Sequence, residues 1–296
     1  MRIRRGVVVL PLPDGRSEAA TGYARCSALV RGLGDVASAV ALGLFRLGCA
    51  VAIHHESETP KVHRRGMAYT DAFFDGEATL DNVIARRCDV VAELPRVLRE
   101  RVSIPLVIGD LQTWLDARHW DVVVDARMRK RNKAAPERGI ASLTIGLGPG
   151  HVAGLTADIA IETQWDDRLG DVLHEGATLP LAGDPRPIEG VGRERNVYAP
   201  IAGVLHSDRA IGDPVFAGDV VAMIGDAPLR APIPGTLRGL TRPGVWVLPN
   251  DKVIEVDPRP PDRAGFSGIG ERPRRIADGV ARAILQWTEN RADTKK

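Results

Sequence analysis

The run Gly32-Leu33-Gly34-Asp35-Val36-Ala37 constrains this chain more than any other feature. It follows the apolar tetrad Ser27-Ala28-Leu29-Val30. It opens Val36–Leu47, whose apolar residues read as a helix that Gly48 stops. Ala50-Val51-Ala52-Ile53 then reads as a second strand. Strand, glycine turn, helix and strand within about 30 residues make a βαβ unit, which favours a parallel sheet. Each residue of G-x-G-x-x-A has a physical task. Gly32 permits the tight turn, Gly34 lets backbone approach a phosphate, and the small Ala37 lets the helix pack close to the strand. The helix N-terminus offers free N–H groups to an anion. Glu56 ends the second strand, where an acid would hold a ribose 2′-OH. Asp35 argues the other way, because a carboxylate in the first turn can cap the helix itself. A bound nucleotide or phosphate and a self-capped turn that holds nothing both stay open at this point.

Further strand-like runs are Ile104–Ile108, Val122–Asp125, Leu143–Ile145 and Ile159–Glu162. Helical spacing is read in Thr79–Arg87, from Leu80, Val83 and Ile84, and in Asp110–Arg118. The alternation predicts an α/β, Rossmann-like doubly wound parallel sheet over residues 27–195. Two basic clusters would lie at the carboxyl ends of its strands, the edge where ligands bind. In His63-Arg64-Arg65, the forks of Arg64 and Arg65 suit phosphate or carboxylate. Arg127–Lys133 is the second cluster, and its Arg129–Lys133 stretch reads more simply as a solvated loop. Gly146, Gly148 and Gly150 follow another strand at the same edge and either approach a ligand or make a tight connection. His151, after that turn, reads as structural or solvent-facing rather than catalytic.

After Tyr198 the pattern changes to a repeat at an offset of 32 residues. Ala199-Pro-Ile-Ala-Gly-Val-Leu205 aligns with Ala231-Pro-Ile-Pro-Gly-Thr-Leu237. Gly212, Val215, Asp219 and Val221 align with Gly244, Val247, Asp251 and Val253. Two such short β units cannot each bury a face alone, which predicts that they pair into one small barrel or flattened sandwich over 196–261. The pattern resembles the biotinyl/lipoyl-like half-barrel. The hairpin Met223–Arg230 lacks the lysine that carries a prosthetic group in such domains, so the likeness implies the fold and not the carrier function. This unit also holds much of the chain's 31 glycines and 21 prolines, a combined content above the roughly 12% of average usage. Ile276, Val280, Ile284 and Trp287 recur at helical spacing, so 262–296 carries an amphipathic helix that needs a surface to cover. Residues 1–26 read as an N-terminal extension.

Forty basic and 38 acidic residues leave a net charge of +2. No bulk field favours nucleic acid or an anionic membrane. The longest apolar run, Val36–Phe45, is too short to span a bilayer. No signal-peptide pattern is read at the N-terminus. Cys26, Cys49 and Cys88 are far apart and odd in number, with no CxxC, so neither a zinc site nor a disulfide framework is expected. A cytoplasmic location fits best. No G-x-S-x-G, Walker lysine or H-E-x-x-H supplies a catalytic constellation.

Several strings in one order carry a family resemblance: Val30–Ser38, His63-Arg-Arg65, Asp75-Gly-Glu77, Ile145–Gly150, Ile161-Glu-Thr163, Glu194-Arg195 with Ala199-Pro200, Arg238-Gly-Leu240, Asp257-Pro-Arg259 and the helix Ile276–Leu285. Over about residues 28–287 the chain resembles the YqeB-type accessory proteins of selenium-dependent molybdenum hydroxylases. The resemblance implies a role in maturing such an enzyme, related to that of XdhC-type factors that handle the molybdenum cofactor. It implies a client molybdoenzyme as partner, and a nucleotide-like anion or the phosphate-bearing molybdenum cofactor as ligand. That ligand would sit at Gly32, Gly34 and Asp35 with Arg64, Arg65 and Gly146–Gly150 around it. Three departures stand out: Leu33 replaces a family glycine, Trp165-Asp-Asp167 replaces an Arg-Gly-His, and the N-terminal extension is added. An NAD(P)-dependent oxidoreductase, favoured by the glycine turn and Glu56, and a structural adaptor without ligand are the alternatives. Self-association into a homo-oligomer is compatible with all three.

Overall fold

A computed structural model describes residues 26–129, 136–181 and 186–293. The expected N-terminal extension, up to residue 25, and residues 130–133 of the second basic cluster lie outside these.

The first part of the chain runs through β1 (Ser27–Arg31), α1 (Asp35–Arg46), β2 (Ala50–His55), α2 (Ala72–Asp75), β3 (Glu77–Leu80), β4 (Val83–Arg87), α3 (Leu94–Glu100), β5 (Ile104–Ile108), α4 (Leu111–Asp116), β6 (Val122–Asp125), β7 (Leu143–Leu147), β8 (Val152–Ala153), β9 (Ile159–Ile161), β10 (Val172–Leu173) and β11 (Gly176–Ala177). Nine strands form one sheet in the order β10-β9-β7-β6-β1-β2-β5-β4-β3. The seven from β9 to β4 are parallel, and only the edge strands β10 and β3 run antiparallel. β8 and β11 form a separate two-stranded pair.

All five residues of β1 are buried, as a strand covered on both faces requires. Ala28 and Val30, with Val51 and Ile53 of β2, pack under α1. Leu29 and Ala52 point the other way, onto Leu94 and Leu98 of α3 and Trp114 of α4. Helices therefore cover both faces. The expected helix over Thr79–Arg87 is instead the β3–β4 hairpin. Asp81 and Asn82 take positive φ values of 45° and 65° at its turn, a conformation these two residues tolerate well. Leu80, Val83 and Ile84 thus belong to two strands, so their helical spacing is coincidental.

The second part holds β12 (Asn196–Tyr198), β13 (Gly203–His206), β14 (Pro214–Val215), β15 (Val220–Ile224), β16 (Ala227–Arg230), β17 (Gly235–Leu240), β18 (Trp246–Val247) and β19 (Lys252–Asp257). They form two four-stranded sheets, β12-β19-β17-β14 and β16-β15-β13-β18. The sequence repeat maps β13, β14 and β15 onto β17, β18 and β19. β14 pairs with β17 and β18 with β13, so each copy lends its short middle strand to the other copy's sheet. The repeated identities have two uses. Leu205, Val215, Val221, Leu237, Val247 and Val253 fill one shared core. Asp219 and Asp251 close equivalent turns, accepting from the N–H of Phe216 at 3.0 Å and of Leu248 at 2.7 Å.

The last element, α5 (Glu271–Asp293), finds the surface its apolar stripe needs. Ile276, Val280, Ala283 and Ile284 join the core beneath α1.

Candidate functional site

β1 lies between β2 and β6. The chain leaves β1 for β2 on one side and later returns to β6 on the other. Such a change of direction opens a crevice at the carboxyl ends of the strands. Gly32 sits there with φ of +123°, and a Cβ on it would lie 2.9 Å from the carbonyl oxygen of Ala126, just past β6. Only glycine lets the two strand ends approach so closely. Gly34 differs. Its φ of −83° suits any residue, and a Cβ there would meet nothing within 4 Å. It borders a cleft of about 320 Å3 whose lining includes Gly32, Asp35, Glu56, Lys61, Arg127 and Arg129. The N-terminus of α1 opens into this space. Asp35 Oδ1 accepts from the N–H of Val36 at 3.0 Å, so the expected self-capping is confined to one N–H.

Glu56 follows β2 directly, at the position its spacing predicts. Three guanidiniums reach its Oε1: Arg31 and Arg127 at 3.2 Å and Arg129 at 3.3 Å. Burial disfavours its charge, but Arg127 and Arg129, then Arg31, more than offset this and hold its carboxyl below the ordinary range. Below the cleft, Arg31 and Arg127 also grip Glu137, and Arg127 forks onto Asp125 at 2.6 and 2.8 Å. His151 packs beside this cluster, its Nε2 3.7 Å from Asp125 Oδ2. It is buried, as a structural histidine would be. Its Nδ1 has no hydrogen-bond partner among the described residues, and burial pulls its pKa down.

Gly146 is explained by that histidine, since a Cβ on it would run into the imidazole ring. Gly148 and Gly150 take φ values of +92° and +93° in the turn after β7. All three lie at the same sheet edge, but none is among the residues lining the cleft.

Arg64 and Arg65 do not line it either. Arg64 Nη1 pairs with Asp35 Oδ2 at 3.1 Å, behind the glycine turn. Its Nε and Nη2 grip Glu255 of β19 at 2.8 and 3.0 Å. Arg65 Nη1 donates to both carboxylate oxygens of Asp71 at 2.8 and 3.0 Å, and its Nε donates to the carbonyl of Leu240 at 3.0 Å. The His63-Arg64-Arg65 loop thus joins the large sheet to the β unit, and protein oxygens already engage both guanidiniums. Glu255 is the hub the sequence reading missed. It is fully buried and also meets His63 Nε2 and Lys252 Nζ at 3.2 Å and Arg195 Nε at 3.3 Å. Burial alone would raise its pKa. Arg64 first, then His63 and Lys252, hold the carboxyl far below the usual range. An acid inside the apolar, wholly buried run Val253-Ile254-Glu255-Val256 is the signal that could have revealed it. Asp35 responds likewise: Arg64 and Arg272 outweigh burial and keep it ionised. Among the described residues, no group of three or more His, Cys, Asp or Glu is arranged to hold a metal ion, and no helix is long and apolar enough to cross a membrane.

Fold and site together define a mixed α/β protein with a large, mostly parallel sheet and a charged crevice at its change of strand order. No protein-family model matches the chain. It is similar to uncharacterized protein YqeB of Escherichia coli (strain K12), with 38% identity over 257 residues, 87% of this chain and 47% of that protein. The chain therefore spans about half the length of this curated relative. Among solved structures, E. coli tRNA N6-threonylcarbamoyladenosine dehydratase TcdA is 20% identical, covering 46% of this chain and 58% of that one at a TM-score of 0.27. The apo ectoine utilization protein EutE (DoeB) from Ruegeria pomeroyi is 14% identical, covering 50% and 65% at 0.21. Neither likeness carries a functional argument.

Proposed function

We propose that this chain is a YqeB-type accessory protein whose cleft at the carboxyl ends of β1 and β6 binds a phosphate-bearing, nucleotide-like molecule. In this reading the binding serves maturation of a molybdenum hydroxylase-type enzyme, and the ligand is the molybdenum cofactor. The observation that supports it best is the open space at Gly34. An N-terminal helix end faces a cleft of about 320 Å3, a Cβ on Gly34 would meet nothing within 4 Å, and Arg127, Arg129 and Lys61 stand at the cleft wall. Helix N-termini and guanidinium forks both favour a phosphate, and this volume suits a small-molecule site. Arg127 and Arg129 now hold Glu56, so a ligand phosphate would compete with that carboxylate for the same donors. The 38% identity to YqeB supports the family, and the maturation role rests on the resemblance of the motifs.

In the same reading, 27–195 is a Rossmann-like domain and 196–261 a biotinyl/lipoyl-like barrel that docks the client. Residues 262–296 supply the helix that backs α1. A nicotinamide dinucleotide is the second reading, favoured by the place of Glu56 directly after β2. Native mass spectrometry of freshly purified protein, followed by calorimetric titration with molybdenum cofactor and with NAD(P), tests both. Binding of molybdenum cofactor supports the proposal. Binding of NAD(P) alone transfers the site to the second reading, and binding of neither refutes a ligand site.

A further inference from the structure

Cys26 and Cys49 stand side by side at the amino-terminal end of the sheet, opposite the cleft. β1 and β2 pair in parallel with Ser27 facing Ala50. One step back in that register sets Cys26 beside Cys49, and the N–H of Ala50 donates to the carbonyl of Cys26 at 2.8 Å. Both side chains enter the same apolar cluster beneath α1. Paired strands lie about 4.8 Å apart, and a disulfide accepts Cα separations of roughly 4.4–6.8 Å.

The two thiols also interact. The neighbouring Cys49 sulfur, with burial, pushes the Cys26 thiol up. The neighbouring Cys26 thiol draws the Cys49 thiol down, and the Arg101 guanidinium favours its anion against burial. Arg101 is set for this. It takes a left-handed φ of 54°. Its Nη2 is buried with no hydrogen-bond partner among the described residues and lies 3.8 Å from where a Cβ on Gly48 would stand. A buried donor without an acceptor is costly in an ordinary core, but beside a forming thiolate it has a use.

We propose that Cys26 and Cys49 form a redox-active dithiol that hydrogen peroxide closes to an intramolecular disulfide. The Cys49 thiolate attacks one peroxide oxygen. The O–O bond breaks, and the departing hydroxide takes up the proton released by Cys49, giving water and a sulfenic acid on Cys49. The Cys26 sulfur then attacks the Cys49 sulfur. The S–S bond forms as the S–O bond breaks, and the leaving hydroxide takes the Cys26 proton as a second water. Two electrons pass from the thiols to the peroxide. The pair is only 6% and 3% exposed, which favours a small oxidant over a bulky disulfide. Cys88 lies in the cluster on the opposite face of the sheet, with its thiol pushed up by burial, and serves as an internal control.

The test is mass spectrometry of the purified full chain after hydrogen peroxide, alkylation and non-reducing trypsin digestion. The expected product is a link between peptides 26–31 and 47–61, lighter by two hydrogen atoms than the separate peptides and reversed by dithiothreitol. Cys88 should stay alkylated. Arg101→Gln should slow closure several-fold, and Cys26→Ser should leave Cys49 as sulfenic acid. Absence of the link in the wild-type chain, or oxidation of Cys88 at an equal rate, would overturn the proposal.

Discussion

Glu255→Gln is the most informative single perturbation of the junction between the two parts of the chain. The side chain keeps its shape and loses its charge. In the wild type the carboxylate faces Arg64 through two hydrogen bonds of 2.8 and 3.0 Å, with His63, Lys252 and Arg195 within 3.3 Å. Asp35 can still serve Arg64, and Asp257 lies 3.3 Å from the neighbouring Arg238, but Arg195, only 3% exposed, keeps no other carboxylate among its described ion pairs. Breaking a buried pair from one side costs about 3–5 kcal/mol, because the partner charge stays buried. With a urea dependence of about 3 kcal/mol per molar, the unfolding midpoint should fall by about 1–1.7 M. Urea unfolding followed by circular dichroism at neutral pH measures this. The pH dependence adds a second check. The folded pKa is depressed, so the stabilisation is complete above the ordinary carboxylate value near 4.5 and fades as pH falls below it. The gap between wild type and variant should narrow on acidification. A midpoint unchanged at neutral pH, or a gap that widens in acid, would refute the junction account.

Three further outcomes follow from the geometry. Gly32→Ala should destabilise the fold by about 1–3 kcal/mol, because its Cβ would press on the Ala126 carbonyl at a φ of +123°; thermal melts check it. Gly146→Ala should cost a similar amount through the His151 ring, and a second-site His151→Ala should recover part of it. Burial depresses His54 and His63 to about 4, so both are neutral in the fold while the unfolded chain takes up protons from about 6.5 downward. Stability should therefore decline as pH falls from about 6.5 to about 4, and His63→Asn should flatten the slope in urea midpoints across that window.

What could be read from the sequence was local. β1, the glycine turn, α1 and β2 follow from one apolar run, two glycines and a helical period. The repeat announced two equivalent β copies because turn and core positions, such as Asp219 and Val221, recur with Asp251 and Val253. α5 was legible from its stripe. The rest depends on partners far along the chain. Nothing near Arg64 announces that its fork closes on Glu255, 191 residues away, so a motif that reads as an anion site turns out to be a junction. Glu56 stands where a ribose-binding acid is expected, but the arginines that crowd it come from the ends of other strands. The β3–β4 hairpin was hidden because Leu80, Val83 and Ile84 mimic one helix face. The better clue was Asp81-Asn82, a pair suited to a left-handed turn.

If the space before Gly34 holds the ligand, a side chain placed there should block binding without disturbing the fold. Gly34 has an extended backbone and room for a side chain, so Gly34→Val should leave the thermal midpoint close to wild type while filling the approach to the helix N-terminus. Calorimetric titration of molybdenum cofactor into both proteins should show binding to the wild type and a loss of at least about tenfold, 1.4 kcal/mol, in the variant. Equal affinity in the two proteins, with the variant folded, would contradict the claim.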